Sequence, residues 1–143
     1  MDFKAVPIDM ISEPNTFSVL PDDRWVIEGS NAKDLWFQLN VVDSLGERRY
    51  LVPSGSTLEV IFQRADLIES QGARRFLSNE TRTVTKNAVA HADDASLFKV
   101  SLTSSDVSNI VSGTVKFVLT EPSATYEWLM NWALLKKSTD PGF

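Results

Sequence analysis

Cysteine is missing altogether, and histidine occurs once, in a chain of 143 residues. The first absence removes disulfides, thiolate zinc sites, iron–sulfur clusters and cysteine nucleophiles together. The second leaves no multi-histidine metal site within one chain. Basic residues are outnumbered as well: 14 Lys and Arg against 19 Asp and Glu give a formal charge of −5. Affinity for nucleic acid comes largely from neutralising phosphates, so no nucleic-acid partner is expected. No apolar run approaches the ~20 residues of a membrane helix, and no membrane partner is expected. The opening Met1-Asp2-Phe3-Lys4-Ala5-Val6-Pro7 has neither a basic region nor a long apolar stretch. Export by a cleaved signal is therefore not expected.

What is present is ordinary globular material, 43% hydrophobic and 23% charged. A chain this long forms one domain by default, burying roughly 68–70% of its unfolded surface without help from metal or disulfide. Its dominant rhythm has period two. Leu35, Phe37, Leu39 and Val41 are apolar, with Gln38 and Asn40 between them. Leu58, Val60 and Phe62 repeat the pattern, as do Val115, Phe117 and Leu119. This is the signature of half-buried strands. Shorter stretches rich in β-branched and aromatic residues predict strands over 24–28, 49–52, 81–89 and 97–102. Turn signals separate them at Pro21-Asp22-Asp23, Gly29-Ser30-Asn31, Ser44-Leu45-Gly46, Pro53-Ser54-Gly55 and Ala92-Asp93-Asp94.

One stretch reads as helical. Thr103-Ser104-Ser105-Asp106 supplies cap residues and an early acid, and Gly113 a stop, predicting one or two turns between two strands. Tyr126, Trp128, Met130, Trp132 and Leu134 fit both alternation and i,i+4 spacing. Their aromatic content and the lack of a well-placed cap favour a strand. Residues 1–23 contain Pro7, Pro14 and Pro21 and read as an extended N-terminal arm with at most one edge strand. The sandwich domain is expected over 24–137, and 138–143 as a polar tail.

Catalytic chemistry finds little purchase. His91 stands beside Asp93 and Asp94, but three ligands within four loop residues rarely converge on one cation. A polar turn, with the acids bonded to nearby backbone, is the simpler reading. Glu59 with Glu69, or Glu121 with Glu127, would serve a glycosidase only if about 5–10 Å apart across a cleft. Phosphate loops, nucleophile elbows and Ser/His/Asp signatures are absent. No enzyme, cofactor or metal is expected. The pairs Arg48-Arg49 and Arg74-Arg75 read as solvated strand ends or interface rim contacts. Trp36 alternates out of phase with Leu35, Phe37 and Leu39, which places it on an outer face, where aromatics anchor protein contacts or, less simply, sugars.

Several segments together carry a resemblance. They are Leu35-Trp36-Phe37-Gln38-Leu39, Leu45-Gly46-Glu47-Arg48-Arg49-Tyr50-Leu51-Val52-Pro53, Asp94-Ala95-Ser96-Leu97-Phe98, Ser101-Leu102-Thr103-Ser104-Ser105-Asp106 and Ser112-Gly113-Thr114-Val115-Lys116-Phe117-Val118-Leu119-Thr120-Glu121. Over most of 24–135 the chain resembles small immunoglobulin-like structural proteins of tailed bacteriophage virions. It is similar, more distantly, to the N-terminal β-sandwich of siphophage upper-baseplate proteins. The resemblance implies a virion component, assembled in the bacterial host cytoplasm, that binds other virion proteins and transfers no catalytic residues.

The expected fold is an all-β, immunoglobulin-like antiparallel β-sandwich of about seven to nine strands with one short helical connection. The expected partners are other virion proteins and copies of the chain, engaged through strand edges and terminal arms. Phe3, Val6 and Ile8 would anchor the arm, with Trp36, Arg48, Arg49, Arg74 and Arg75 at interfaces. The rival reading is a carbohydrate- or receptor-binding sandwich that uses exposed Trp residues.

Overall fold

A computed structural model describes residues 2–8, 17–19, 25–28, 32–69, 75–107 and 110–135. In chain order its elements are β1 (Asp2–Pro7), β2 (Phe17–Val19), β3 (Trp25–Glu28), β4 (Lys33–Asp43), β5 (Gly46–Arg49), β6 (Thr57–Glu69), β7 (Arg75–Asn87) and β8 (Val89–His91). There follow β9 (Asp94–Leu102), the single helical turn α1 (Ser104–Val107), β10 (Ile110–Thr120) and β11 (Thr125–Leu135). The result is an all-β sandwich of two sheets. The smaller runs β1-β4-β9-β8, with β5 also paired to β4; the larger runs β2-β3-β11-β10-β6-β7. Every pairing is antiparallel except β3 with β11, which is parallel. Eleven strands are described rather than seven to nine. The surplus lies in pieces too short to show a period, such as the 3-residue β2 and β8.

The period-two rhythm becomes the core directly. Leu35, Phe37, Leu39 and Val41 of β4 and Phe98, Val100 and Leu102 of β9 point inward from one sheet. Leu58, Val60 and Phe62 of β6 and Val115, Phe117 and Leu119 of β10 meet them from the other. Aromatic rings tie the layers. Phe37 stacks on its cross-strand neighbour Phe98, with centroids 5.9 Å apart, and meets Phe117 of the opposite sheet edge-on at 5.6 Å. Phe117 stacks in turn on its own register partner Trp128, at 5.0 Å and 7°.

The N-terminal segment departs most from expectation. Part of the anticipated arm belongs to the sandwich. β1 is zipped antiparallel to β4 from Asp2↔Val42 to Pro7↔Phe37, and β2 lies in the larger sheet. Phe3 is a core residue and not an interface anchor. It is 8% exposed and packs on Trp128 at 4.8 Å, Tyr50 at 5.1 Å and Tyr126 at 5.3 Å. Ala5 beside it is fully buried. Burial of this kind outweighs the loss of chain freedom that an arm would retain. Pro7 fits here because of ladder parity. The Ile8 N–H donates to the Trp36 carbonyl at 3.0 Å, so ladder bonds run through the even residues. The nitrogen of Pro7 therefore faces away from β4, where no donor is required.

Two boundaries also moved. Strand β5 begins at Gly46 rather than Arg49 because the hairpin turn is tight. The Asp43 side chain accepts the Leu45 N–H at 2.8 Å, and Gly46 adopts φ +111°, a region that glycine enters without steric cost. The helical segment stops after a single turn. Thr103 Oγ accepts the Asp106 N–H at 3.2 Å while the Asp106 carboxylate accepts the Thr103 N–H at 2.7 Å, a reciprocal cap. Beyond it, the β-branched Ile110 and Val111 begin β10, and Gly113 pairs with Trp132 and Arg64 instead of capping a helix. The 126–134 segment is a strand, as its aromatic content suggested.

Tyr50 closes one end of the core. Its hydroxyl donates to the Glu121 carboxylate of the opposite sheet's turn. Burial, then the Glu121 hydrogen bond and charge, push the phenol up to about 12.

If β1 belongs to the folding unit, Phe3→Ala should lower the unfolding free energy by about 3 kcal/mol. Denaturant unfolding measures it, and a loss below about 0.5 kcal/mol, the scale of a surface substitution, would show β1 to be dispensable.

Candidate functional site

Alternation that sends one set of side chains into the core sends the other onto the outer face of the smaller sheet. There the register aligns Trp36 with Lys99, and Lys99 with Val89. In the adjacent row Val6 is aligned with Gln38, and Gln38 with Leu97. Ile8 continues β1 beside Trp36. Val6, Ile8, Trp36 and Leu97 are half-buried, and Val89 is 60% exposed. The outcome is a mixed patch across four strands in which Val6, Ile8, Trp36, Leu97 and Val89 are interleaved with Gln38 and Lys99.

Paired charges surround the patch. Lys4 Nζ lies 3.7 Å from Glu47 Oε2, and Asn40 Nδ2 donates to Glu47 Oε1 at 2.7 Å. Arg49 reaches Asp94 at 3.3 Å, and Ser101 Oγ donates to Asp34 at 2.6 Å. An aromatic at the centre of a polar rim is the anatomy of a protein-binding patch. Trp36 itself carries Lys99 Nζ 5.6 Å from its ring centroid, and the edge of His91 at 5.6 Å. Both contacts hold the indole in place.

Of the residues singled out in the sequence, the fold brings Val6, Ile8 and Trp36 together and sets Arg49 on the rim. Arg48 has the opposite parity and pairs with Asp43 at the hairpin. Arg75 opens β7 in the other sheet, and Arg74 lies outside the described residues. Leu97, Lys99 and Val89 were not anticipated. The available signal was the alternation of Leu97, Lys99 and Ser101 against Phe98, Val100 and Leu102, masked by the apolar pair Leu97-Phe98.

The region of His91 and its neighbouring acids is a bonded polar turn, the reading preferred from the sequence. His91 Nδ1 accepts the Asp93 N–H at 3.1 Å. Asp94 accepts from both Ser96 N, at 2.9 Å, and Ser96 Oγ, at 2.6 Å. These Ser96 bonds, with the nearby Arg49 charge, hold the Asp94 carboxyl below the usual carboxylate range. Glu121 is engaged by Tyr50, and Glu127 pairs with Lys116 at 3.3 Å. Asp106 is another bonded acid. Burial alone would raise it, but Lys86 at 2.9 Å and two bonds from Thr103 hold it low. Among the described residues no group of three or more His, Asp or Glu side chains is placed to hold a metal ion. No described helix is long and apolar enough to cross a membrane.

No protein-family model matches this chain, and no curated protein matches it.

Asp94 gives the rim a pH signature. Its lowered folded value means that it adds stability above the ordinary carboxylate range, which is lost as pH falls through that folded value. Asp94→Asn should therefore flatten the acid limb of a stability–pH curve, the difference between the two proteins shrinking as pH falls through the lowered folded value of Asp94. Parallel curves for the two proteins would contradict this assignment.

Proposed function

We propose that this chain is a non-enzymatic structural component of a phage virion that docks onto other virion proteins, and onto copies of itself, through the outer face of its smaller sheet. The observation that carries the docking reading is the half-exposed Trp36, flanked on one face by Val6, Ile8, Leu97 and Val89, with Gln38 and Lys99 between them. A large aromatic held rigid by its neighbours loses little freedom on binding, which is why Trp recurs where binding energy concentrates. Rim pairs such as Lys4–Glu47 add orientation more than affinity. The virion setting is supported by the sequence resemblance of 24–135.

The opposite outer face supplies a contrast. Leu129 is 69% exposed there, yet its register neighbour is Lys116, which is ion-paired to Glu127. Around Leu129 the described surface carries Lys116 and Glu127 and no aromatic ring comparable to Trp36. Docking by the Trp36 face replaces docking by a free N-terminal arm, since β1 is already committed to its own sheet.

Sedimentation of the purified chain should show concentration-dependent self-association. The double variant Trp36→Ser/Leu97→Lys should weaken it about 30-fold or more while the far-ultraviolet spectrum stays native. Leu129→Ser should leave it unchanged. A monomer at every concentration, or association indifferent to the double variant, would contradict the docking face. Mass spectrometry of purified particles of the encoding phage should detect the chain, and its absence from them would contradict the virion setting.

A further inference from the structure

The open strand edges of the described sheets are mostly blunt. β1 ends in Pro7, β5 has 4 residues, and β2 and β8 have 3 each. The exception is β7, which has 13 residues and no proline, and among the described residues β6 is the only strand paired to it. That pairing breaks between Ala65 and Leu67, so its regular stretch runs from Thr81 to Asn87. Ladder parity decides which groups there are open. The Ala88 N–H donates to the Leu58 carbonyl at 2.8 Å, and the register continues from it through Lys86↔Val60 and Val84↔Phe62. The even residues therefore bond to β6, and the N–H and C=O groups of Thr81, Thr83, Thr85 and Asn87 point away from the sheet. Thr83, Thr85 and Asn87 are exposed. Lys86, the kind of residue that guards such an edge, is drawn to Asp106 at 2.9 Å. We propose that this edge pairs antiparallel with the same edge of a second copy, about a two-fold axis at Val84, joining two larger sheets into one.

The register selects the occupant. Only odd residues face the gap, so odd must meet odd. Centring the pairing on Val84 sets Thr83 opposite Thr85 and Thr81 opposite Asn87, and each outward N–H then meets a C=O. Centring it on Thr83 would draw the broken segment before Thr81 into the ladder. Centring it on Thr85 would require Val89, which is already paired to Lys99 in the other sheet. The Val84 offset alone uses the whole regular stretch and nothing else. It also sets Val84 against Val84 of the second copy as a non-hydrogen-bonded pair, where side chains approach closest. Val84 is half-buried against the core, and an apolar group opposite completes its cover. Arg82 of the second copy falls opposite Lys86, where Asp106 already sets a carboxylate against the cation. A contact this short buries less than the roughly 1,200 Å² of a stable interface, so it is weak alone and counts where other contacts already hold copies close. It does not depend on the docking face around Trp36.

Because the chain has no cysteine, single cysteines report the contact cleanly. Val84→Cys in the full chain should form a disulfide-linked dimer under mild oxidation, since directly opposed residues of such a pair lie within bonding reach. Thr85→Cys, although more exposed, should dimerise more slowly, because its counterpart lies on a diagonal beyond that reach. Thr83→Pro removes an outward N–H without touching a β6 bond, and it should slow the Val84→Cys trap about tenfold or more while the far-ultraviolet spectrum stays native. The inference is overturned if Val84→Cys yields no dimer, if Thr85→Cys dimerises as fast, or if the trap is indifferent to Thr83→Pro in a folded protein. The trap should persist in the Trp36→Ser/Leu97→Lys background, so its failure and the failure of the docking face are separate results.

Discussion

The packing of Phe3 between the sheets is the contact on which the rest of the molecule turns. Its ring lies on Trp128 and against Tyr50 and Tyr126, so a strand at the very edge of one sheet is fastened to the interior of the other. Trp128 passes the contact to Phe117, and Phe117 to Phe37. Close-packed rings tolerate little displacement, which makes this chain of aromatics a stiff clamp across the two layers. The outer patch around Trp36 follows from it. Only because Phe3 and Ala5 face inward do Val6 and Ile8 come to rest outward beside Trp36.

The borders of the sheets are handled by related means. Pro7 removes a donor from the open side of β1, which blunts an edge otherwise able to recruit a foreign strand. At the other border of the smaller sheet, β8 is only 3 residues long and its pairing is interrupted between Ala90 and His91. Short, irregular edges disfavour edge-to-edge addition. His91, at that interruption, meets Trp36 edge-on.

The amino-acid sequence disclosed the long central strands well, and for a simple reason. In β4, β6 and β10 the alternate residues Leu35 to Val41, Leu58 to Phe62 and Val115 to Leu119 are buried, so an apolar residue is required at every second position there. The edges were harder. Asp2-Phe3-Lys4-Ala5-Val6-Pro7 alternates too, but only two of its residues are buried and a proline ends it, so its pattern is also that of an arm. The four-residue α1 and the early start of β10 depended on a reciprocal cap and on β-branched residues winning over a distant glycine, a contest between local preferences. Trp36 could be placed on an outer face from parity alone. Its companions Leu97 and Val89 could not, because they arrive from strands far along the chain and only the register joins them.

Amide hydrogen exchange tests the central contact most directly. If the aromatic clamp makes β1 part of the cooperative core, the N–H groups of Lys4, Val6 and Ile8, which bond to β4, should exchange only on global unfolding, alongside those of β10. Exchange of these amides at the rate of an unstructured peptide, while β4 and β10 remain protected, would contradict it.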